Sequence, residues 1–270
     1  MIMCKLSVII PVFNASQYIE RCLQSIEGQT LSDFEVLLVD NRGTDDSISV
    51  AESFVARSVR KDICYRFVAT PENNGPAPAR NLGMQLAKGE YVAFLDADDR
   101  VEPEMYETLY NNAQGADMSC CAIQQDFADG RASRVLGNPV FPKGEMRVGE
   151  RKRLLTRFAA HFTAYIYRRE MLASCGIKFP DARSAEDSSF LTCCLLSAKS
   201  VAQTEKPMYH YVIHAGSLTD RKVWKGKDKR RALRAMLDYA KRQGLMQTYR
   251  WQLCYIYVKK AWIVPIMEML

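Results

Sequence analysis

The apolar and polar residues of the first 122 positions fall into blocks that predict strands alternating with helices. Uninterrupted apolar runs predict strands covered on both faces, and the residues between them place apolar side chains at helical spacing. Strands are predicted at 6–10, 34–39, 63–68, 91–95 and 116–122, and helices at 18–26, 48–55, 77–86 and 103–112. Such alternation is typical of parallel strands joined by crossover helices, so we expect an α/β fold with a Rossmann-like, mainly parallel sheet and flanking helices.

The pattern changes after residue 122. Residues 123–150 are rich in Gly, Asp and Pro and predict a hairpin or a long loop. Further helices are predicted near 150–160, at 184–197 and at 233–240, with short strands at 201 and 209–213. We therefore divide the chain into 1–122, 123–220 and 221–270, and we expect the last segment to be a helical C-terminal extension.

Composition limits the class of protein. The 270 residues are 48% hydrophobic and 25% charged, which is ordinary for a globular protein of one or two domains. The nine cysteines are odd in number and include no Cys-x-x-Cys, so we expect a reducing, cytoplasmic location and no cysteine zinc site. We also expect no signal peptide, because the first apolar run, 6–13, contains Pro11 and has no cleavage-type tail. We expect no membrane span, because no apolar stretch reaches about 18 residues.

Positive charge is concentrated in the C-terminal extension. The chain carries a net charge of +6, and residues 221–260 alone contain 13 Lys or Arg against Asp228 and Asp238. Tyr and Trp residues are interleaved with cations from residue 249 onward. This composition suits an anionic membrane surface, with packing on the core or a homodimer contact as the alternatives. A nucleic-acid partner is not favoured, because no nucleic-acid-binding motif accompanies the basic residues.

Polar residues that follow a predicted strand are the first candidates for a site, because ligands of open parallel sheets bind beyond the carboxyl ends of the strands. The segments concerned are 11–14, 40–46, 73–83 and 96–99. The last segment places three carboxylates, Asp96, Asp98 and Asp99, directly after the most apolar strand. Carboxylates so close repel one another unless a cation meets them, and Mg²⁺ and Mn²⁺ prefer such oxygen ligands. An acidic surface turn is the alternative interpretation.

Taken together, these segments resemble the family 2 glycosyltransferases, which have the GT-A fold. Residues 73–83 match Asn-x-Gly-x-x-x-Ala-Arg-Asn-x-Gly at every specified position, and residues 94–99 match Phe-Leu-Asp-x-Asp-Asp. The resemblance is close over residues 4–122 and weaker over 160–220. It departs from the family at Asn41 and Arg42, which stand where the family usually has Asp and Gly.

The resemblance implies roles for particular residues. Segment 1–122 would be the nucleotide-sugar-binding half of a GT-A domain, and segment 123–220 the acceptor-side half. The implied donor-binding residues are Pro11, Phe13, Asn14, Asp40, Arg80, Asp96 and Asp98. A divalent ion, Mn²⁺ or Mg²⁺, would be held by Asp98 and Asp99, with His214 from the Tyr-x-Tyr…His-x-Gly-Ser segment at 209–217 as a further contact.

The resemblance also implies the reaction. A sugar would pass with inversion from a nucleotide diphosphate, expected to be UDP, to a glycan or a polyprenyl- or other lipid-linked glycan. Such an acceptor belongs to cell-surface polysaccharide synthesis, of capsule or lipopolysaccharide type, on the inner face of the membrane. Asp187 would be the general base, with the neighbouring Glu186 as the second carboxylate of the pair.

Two other functions remain open from the residues. Residues 92–98 end a predicted strand with Asp-x-Asp, as in phosphatases that resemble the haloacid dehalogenase group. That group has this strand at the start of its domain and Thr or Val two residues after the second Asp, where this chain has Arg100. The changes at Asn41 and Arg42 are compatible with a non-catalytic protein that binds nucleotide sugars or acts as a scaffold.

Overall fold

The computed structural model describes residues 4–158, 161–214 and 226–263. For residues 262 and 263 it describes the backbone alone. The strands in these ranges are β1 (Leu6–Val12), β2 (Phe34–Asp40), β3 (Ile63–Ala69), β4 (Tyr91–Phe94), β5 (Arg100–Val101), β6 (Met118–Phe127), β7 (Arg134–Leu136), β8 (Tyr165–Arg168) and β9 (Val201–Ile213). The α-helices are α1 (Ile19–Glu27), α2 (Ser47–Arg57), α3 (Pro76–Leu86), α4 (Met105–Asn112), α5 (Val148–Arg157), α6 (Arg169–Ser174), α7 (Glu186–Ser197), α8 (Gly226–Arg242) and α9 (Met246–Val258). A 3₁₀ turn covers Phe162–Ala164, and a π-helical turn, Lys259–Ile263, continues α9.

The strands form one sheet in the order β3-β2-β1-β4-β8-β6-β9-β5, with β7 paired to β6. The neighbours from β3 to β4 are parallel, as the alternating pattern predicts. Beyond β4 the sheet is mixed, because β8 runs antiparallel between β4 and β6. Strands from 123–220 thus complete the sheet begun by 1–122, and the division at residue 122 falls inside β6.

Several predicted boundaries are wrong. Strand β8 and helix α6 are missing from the prediction, and 201–213 is one long strand rather than two short ones. Strand β1 does not end before Pro11, which lies in register with Val39. The Ile9 carbonyl accepts a hydrogen bond from Leu95, next to β4, and the Val12 carbonyl accepts one from Asn41, next to β2. Backbone groups point to alternate sides along a strand, so the nitrogen of Pro11, two residues after Ile9, points toward β4. Because β4 has already ended there, the missing N–H of proline leaves no ladder bond unmade.

Close packing of α3 on β1 explains the last glycine of the 73–83 motif. A Cβ at Gly83 would lie 2.4 Å from Cγ2 of Ile9, so only glycine lets the helix approach this closely. About one turn earlier in α3, Arg80 lies over the Phe162 ring of an aromatic cluster formed by Phe94, Phe162, Tyr167, Phe179 and Phe190. Helix α3 therefore connects the buried core to the carboxyl edge of the sheet.

The helical C-terminal extension is present and packs on the rest of the protein. Helix α8 buries Leu233, Met236 and Tyr239 where it contacts α7, and α9 packs against α5 and α8. Residues 221–225 and 264–270 of the extension lie outside the described residues, as do Gly216 and Ser217 of the 209–217 segment. No helix in the described ranges is both long enough and apolar enough to span a bilayer.

Candidate active site

The structure brings the polar segments that follow β1, β2, β3 and β4 to one edge of the sheet. Val12 lies in register with Asp40, and Asp40 with Ala69, so these three strands end side by side. Strand β4 ends next to β1, where Leu95 donates its N–H to the carbonyl of Ile9. A ligand at this edge contacts several segments that are distant in sequence.

The turn after β1 is fitted to the turn after β2. Asn14 adopts a left-handed conformation, with φ +48°, and its Oδ1 accepts a hydrogen bond from the Thr44 amide at 2.8 Å. Gly43 packs so closely that a Cβ there would lie 3.0 Å from the Asn14 nitrogen. Phe13 remains 45% exposed beside this turn, while Pro11 is half-buried. Asn14 thus shapes the candidate nucleoside pocket, and Phe13 offers it an open aromatic surface.

The two departures from the family pattern have separate structural roles. Asn41 is buried, and its Nδ2 donates to the Gly75 carbonyl at 3.0 Å, which holds the loop before α3. Arg42, with φ +58°, donates its amide to Oδ1 of Asp40 at 2.8 Å, and its guanidinium lies 3.7 Å from Oδ2. Both oxygens of Asp40 therefore have a donor or a cation beside them.

Asp99 does not face the candidate metal position, which corrects its prediction as a ligand. Its Oδ2 accepts the Tyr209 hydroxyl at 2.5 Å, its Oδ1 accepts the Val212 amide at 2.8 Å, and the residue is 1% exposed. Burial, followed by the charges of Asp98 and Asp96, raises the pKa of Asp99 well above its ordinary value. Asp99 anchors β9 to the acidic turn.

Asp98 and His214 do meet at the open side of the turn. His214 Nε2 lies 2.9 Å from Asp98 Oδ2, and the ring stacks on Tyr18, whose hydroxyl lies 3.2 Å from Nδ1. Here the bond to Asp98 needs a proton on Nε2, which donates to the carboxylate. If the proton were instead on Nδ1 and donated to the Tyr18 oxygen, the Nε2 lone pair would be free for a metal ion beside Asp98, the usual arrangement of a metal-binding histidine. Burial and the Asp96 charge raise the pKa of Asp98, while its bond to His214 opposes the rise.

The donor set fits an ion that a diphosphate would help to bind. No three His, Cys, Asp or Glu side chains of the described ranges are arranged around one metal position. One carboxylate and one imidazole converge, however, and Mg²⁺ is commonly held by one or two carboxylates together with substrate phosphates. The residues present therefore fit Mn²⁺ or Mg²⁺ at Asp98 and His214, without Asp99.

Arg80 is buried and bridges two carboxylates. Its side chain is 6% exposed, with Nη2 2.8 Å from Asp96 Oδ1 and Nη1 3.4 Å from Glu186 Oε1. The guanidinium also lies over the Phe162 ring, 4.6 Å from its centroid. Because both terminal nitrogens contact carboxylates, Arg80 holds Asp96 and Glu186 in place. Its contact with a nucleotide stays a prediction.

Glu186 and Asp187 begin α7 after Ala185, which has φ +60°. Burial and the Asp187 charge raise the pKa of Glu186 to about 7, against the lowering effect of Arg80. Asp187 is half-buried and lies near His161; the Asp187 charge partly offsets the lowering of the His161 pKa that burial causes. The two carboxylates thus have different neighbours: Glu186 contacts Arg80, and Asp187 lies near His161.

Three residues of the site were not predicted from the sequence. The helix predicted at 18–26 begins with the apolar ring of Tyr18, but in the structure Tyr18 is half-exposed and Ile19 is buried. Tyr209 contacts the acidic turn although it lies about 110 residues away in sequence, and His161, near Asp187, belongs to no motif. The Tyr-x-Tyr spacing at 209–211 was the only sequence hint that Tyr209 belongs to the site.

The sequence of this chain is similar to those of known glycosyltransferases. The family model for Glycosyl transferase family 2 matches residues 7–176. The uncharacterized glycosyltransferase EpsJ of Bacillus subtilis is 32% identical over 220 residues, covering 79% of this chain and 62% of EpsJ. The chain thus spans less than two thirds of the length of that relative.

Solved structures share the fold. The crystal structure of S. aureus TarS residues 1–349 in complex with UDP-GlcNAc has a TM-score of 0.74 at 23% identity, covering 93% of this chain and 72% of that one. The mannosyltransferase PcManGT of Pyrobaculum calidifontis, in complex with GDP-Man and Mn²⁺, has a TM-score of 0.62 at 18% identity and the same two coverages. The expected GT-A fold is confirmed.

Proposed function

Because the chain belongs to glycosyl transferase family 2, we propose that it is an inverting glycosyltransferase that moves a sugar from a nucleotide diphosphate to a hydroxyl of a glycan. One observation carries this proposal beyond family membership. Arg80 connects Asp96, which follows β4, to Glu186, at the start of the helix that bears Asp187. Two carboxylate groups from different elements are thereby held on either side of one guanidinium, and the proposed cleft lies between these elements, with the donor on the Asp96 side and the acceptor on the α7 side.

The donor is proposed to lie along the carboxyl edge of the sheet. Phe13 offers an exposed aromatic surface to a base, Asp40 an acceptor for base or ribose, and Asp96 an acceptor for the ribose or sugar. Asn14 and Pro11 shape this pocket. A UDP sugar is the expected donor; the neighbours with UDP-GlcNAc and with GDP-Man are compatible with a nucleotide sugar of either base.

Asp98 and His214 are the residues that would hold Mn²⁺ or Mg²⁺. When bound, such an ion supplies Lewis-acid stabilisation of the charge that develops on the leaving diphosphate. Tyr18 fixes the orientation of the His214 ring by stacking and by its hydroxyl. Asp99 contributes indirectly, because it holds β9, and with it His214, against the acidic turn.

Asp187 is proposed as the general base. As the acceptor oxygen forms its bond to the anomeric carbon, the bond from that carbon to the diphosphate oxygen breaks, and the hydroxyl proton passes to Asp187. The base has to be ionised and within reach of the acceptor. The N-terminal end of α7 favours a negative charge there. Glu186 suits this role less well, since its carboxylate contacts Arg80.

The proposed acceptor is a glycan or a polyprenyl- or other lipid-linked glycan of a cell-surface polysaccharide, such as capsule or lipopolysaccharide. The corresponding location is the cytoplasmic face of the membrane. The curated relative is named as a glycosyltransferase, which supports a glycan acceptor without specifying it.

Metal-dependent hydrolysis of nucleotide sugars tests the proposal directly. Purified protein is incubated with UDP- and GDP-sugars, with Mn²⁺, with Mg²⁺ and with EDTA, and released sugar and nucleotide are quantified. We expect slow release from one class of donor only when the metal is present. Metal-dependent nucleotide binding without any turnover, alone or with glycan acceptors, would favour the non-catalytic alternative. The phosphatase alternative is wrong, because the chain belongs to the glycosyltransferase family.

A further inference from the structure

Helix α9 presents an apolar stripe to solvent. Trp251 is 84% exposed, Val258 47% and Tyr255 45%, and Cys254 is exposed as well. Positions 254 and 255 lie three and four residues after 251, and 258 lies four and three residues after them, so all four lie on one face of the helix. The opposite face is the one that packs on the protein, through Tyr249, Leu253 and Ile256. The stripe is therefore additional to the face that holds α9 in the fold.

Cations border this stripe. Arg250 and Lys259 are exposed at its two ends, and Lys259 Nζ lies 5.6 Å from the centroid of the Tyr255 ring. The adjoining helix α8 carries an open groove of about 600 Å³ with four cationic residues and one carboxylate, lined by Lys227, Arg230, Arg231, Arg234, Ala235 and Asp238. An apolar, aromatic stripe bordered by Lys and Arg is the pattern of a helix that lies in the interface of an anionic bilayer.

The stripe is connected to the acceptor side of the cleft. The π-helical turn Lys259–Ile263 continues α9, and Lys260 is close enough to His161 for its charge to act on that ring. Asp187 acts on the same ring. Helix α9 also packs against α5, and α5 contacts α7, the helix whose first turn bears Asp187.

We propose that the stripe Trp251–Cys254–Tyr255–Val258 inserts into the headgroup region of an anionic lipid bilayer and holds the acceptor side of the cleft toward that surface. A second copy of the chain is a poorer occupant. Two such surfaces would bring the cations of α8 and α9 together. A standard protein interface also buries about 800 Å² on each partner, of which four side chains of one helix supply only a part. That the docked surface serves the acceptor rests on the proposed function; the lipid contact itself does not.

Vesicle co-sedimentation of the full chain tests this surface. The probes are phosphatidylcholine vesicles with and without about one third phosphatidylglycerol, at salt from about 0.05 to about 0.5 M. The variant Trp251→Ser/Tyr255→Ser is compared with Val59→Ser/Val140→Ser, whose valines are 80% and 78% exposed elsewhere on the protein. We expect salt-sensitive binding to the anionic vesicles only, weakened roughly 10-fold or more by the first variant and unchanged by the second.

Three outcomes would overturn the proposal. They are equal binding of the first variant and the wild type, binding to neutral vesicles that ignores salt, and a dimer in sedimentation equilibrium that Trp251→Ser dissociates. A fourth outcome would overturn it as well: the wild type does not bind vesicles, and the first variant melts at a lower temperature. The stripe would then contribute to the packing of the protein and not to a lipid contact. Metal-dependent donor hydrolysis is measured on the same samples without vesicles. Because it should be equal in both variants, failure of the lipid contact is distinguishable from failure of the proposed reaction.

Discussion

The Tyr209 hydroxyl donates to Asp99 Oδ2 at 2.5 Å and joins β9 to the acidic turn that follows β4. The Tyr209 hydroxyl oxygen in turn accepts a hydrogen bond from the Asp96 amide at 3.4 Å. One phenol thus contacts both the first and the last carboxylate residue of the turn. The open side of the turn is left to Asp98, and its partner His214 comes from the end of the strand that Tyr209 anchors.

Tyr209→Phe should destabilise the fold by about 1–3 kcal/mol, because Asp99, which is buried away from water, would lose the hydrogen bond that the Tyr209 hydroxyl donates to it. The measurement is denaturant unfolding at constant pH. Tyr106→Phe is the matched control, since the Tyr106 hydroxyl is buried with no hydrogen-bond partner among the described residues, and its removal should be neutral or stabilising. Equal losses in the two variants would mean that the Tyr209–Asp99 bond contributes nothing.

His214→Ala and Asp98→Asn should each lower metal-dependent transfer by roughly 10²-fold or more, since each removes a group proposed to hold the ion. Raising the Mn²⁺ concentration should restore part of the activity of His214→Ala, because the carboxylate remains. Asp129→Asn, on an exposed carboxylate elsewhere, is the control. Full activity of Asp98→Asn, or activity in EDTA, would contradict the assignment.

Asp187→Asn should lower kcat by roughly 10²–10⁴-fold while donor binding, measured by calorimetry with the nucleotide, stays nearly unchanged. Glu186→Gln should retain more activity, because its contact with Arg80 is a positioning role and glutamine can still accept from the guanidinium. A dead Glu186→Gln beside an active Asp187→Asn would reverse the two roles. Normal activity in both would remove this segment from the mechanism.

Glu186 should make stability depend on pH between about 4.5 and about 7. Its pKa in the folded protein is about 7, above the ordinary 4.5, so the folded state holds this proton more tightly than the unfolded state. The resulting stabilisation is complete below pH 4.5 and is lost as the pH rises to about 7. Melting temperatures of Glu186→Gln relative to wild type should therefore rise from pH 5 to pH 8. Glu205→Gln, on an exposed side chain, should show no such trend.

Asn41→Asp, which restores the usual family residue, should destabilise this protein by about 1–3 kcal/mol. The Asn41 amide nitrogen donates to the Gly75 carbonyl and lies 3.4 Å from Asn73 Oδ1, so a carboxylate there would face two acceptors in a buried position. Asn111→Asp, at an exposed site on α4, should cost much less. A melting temperature of Asn41→Asp equal to that of wild type would show that the loop rearranges freely.

The sequence alone determined the parallel half of the sheet and which segments reach its ligand-binding edge. Those features depend on local signals: apolar runs for β1 to β4, helical spacing between them, and strand-end motifs whose side chains must meet once the strands are parallel. The basic, helical character of the C-terminal extension is local as well. The sequence therefore predicts which segments meet at this edge, and the structure brings them together there.

Only the tertiary structure decided what each polar side chain touches. Asp98 and Asp99 are adjacent in sequence, yet one faces the cleft and the other is buried against β9, which begins about 100 residues later. Arg80 belongs to a predicted motif, but its partner Glu186 lies 106 residues away. Strand β8 is four residues long and exists through pairing with β4 and β6. Such contacts depend on which distant elements meet, and neither periodicity nor local motifs contain that information.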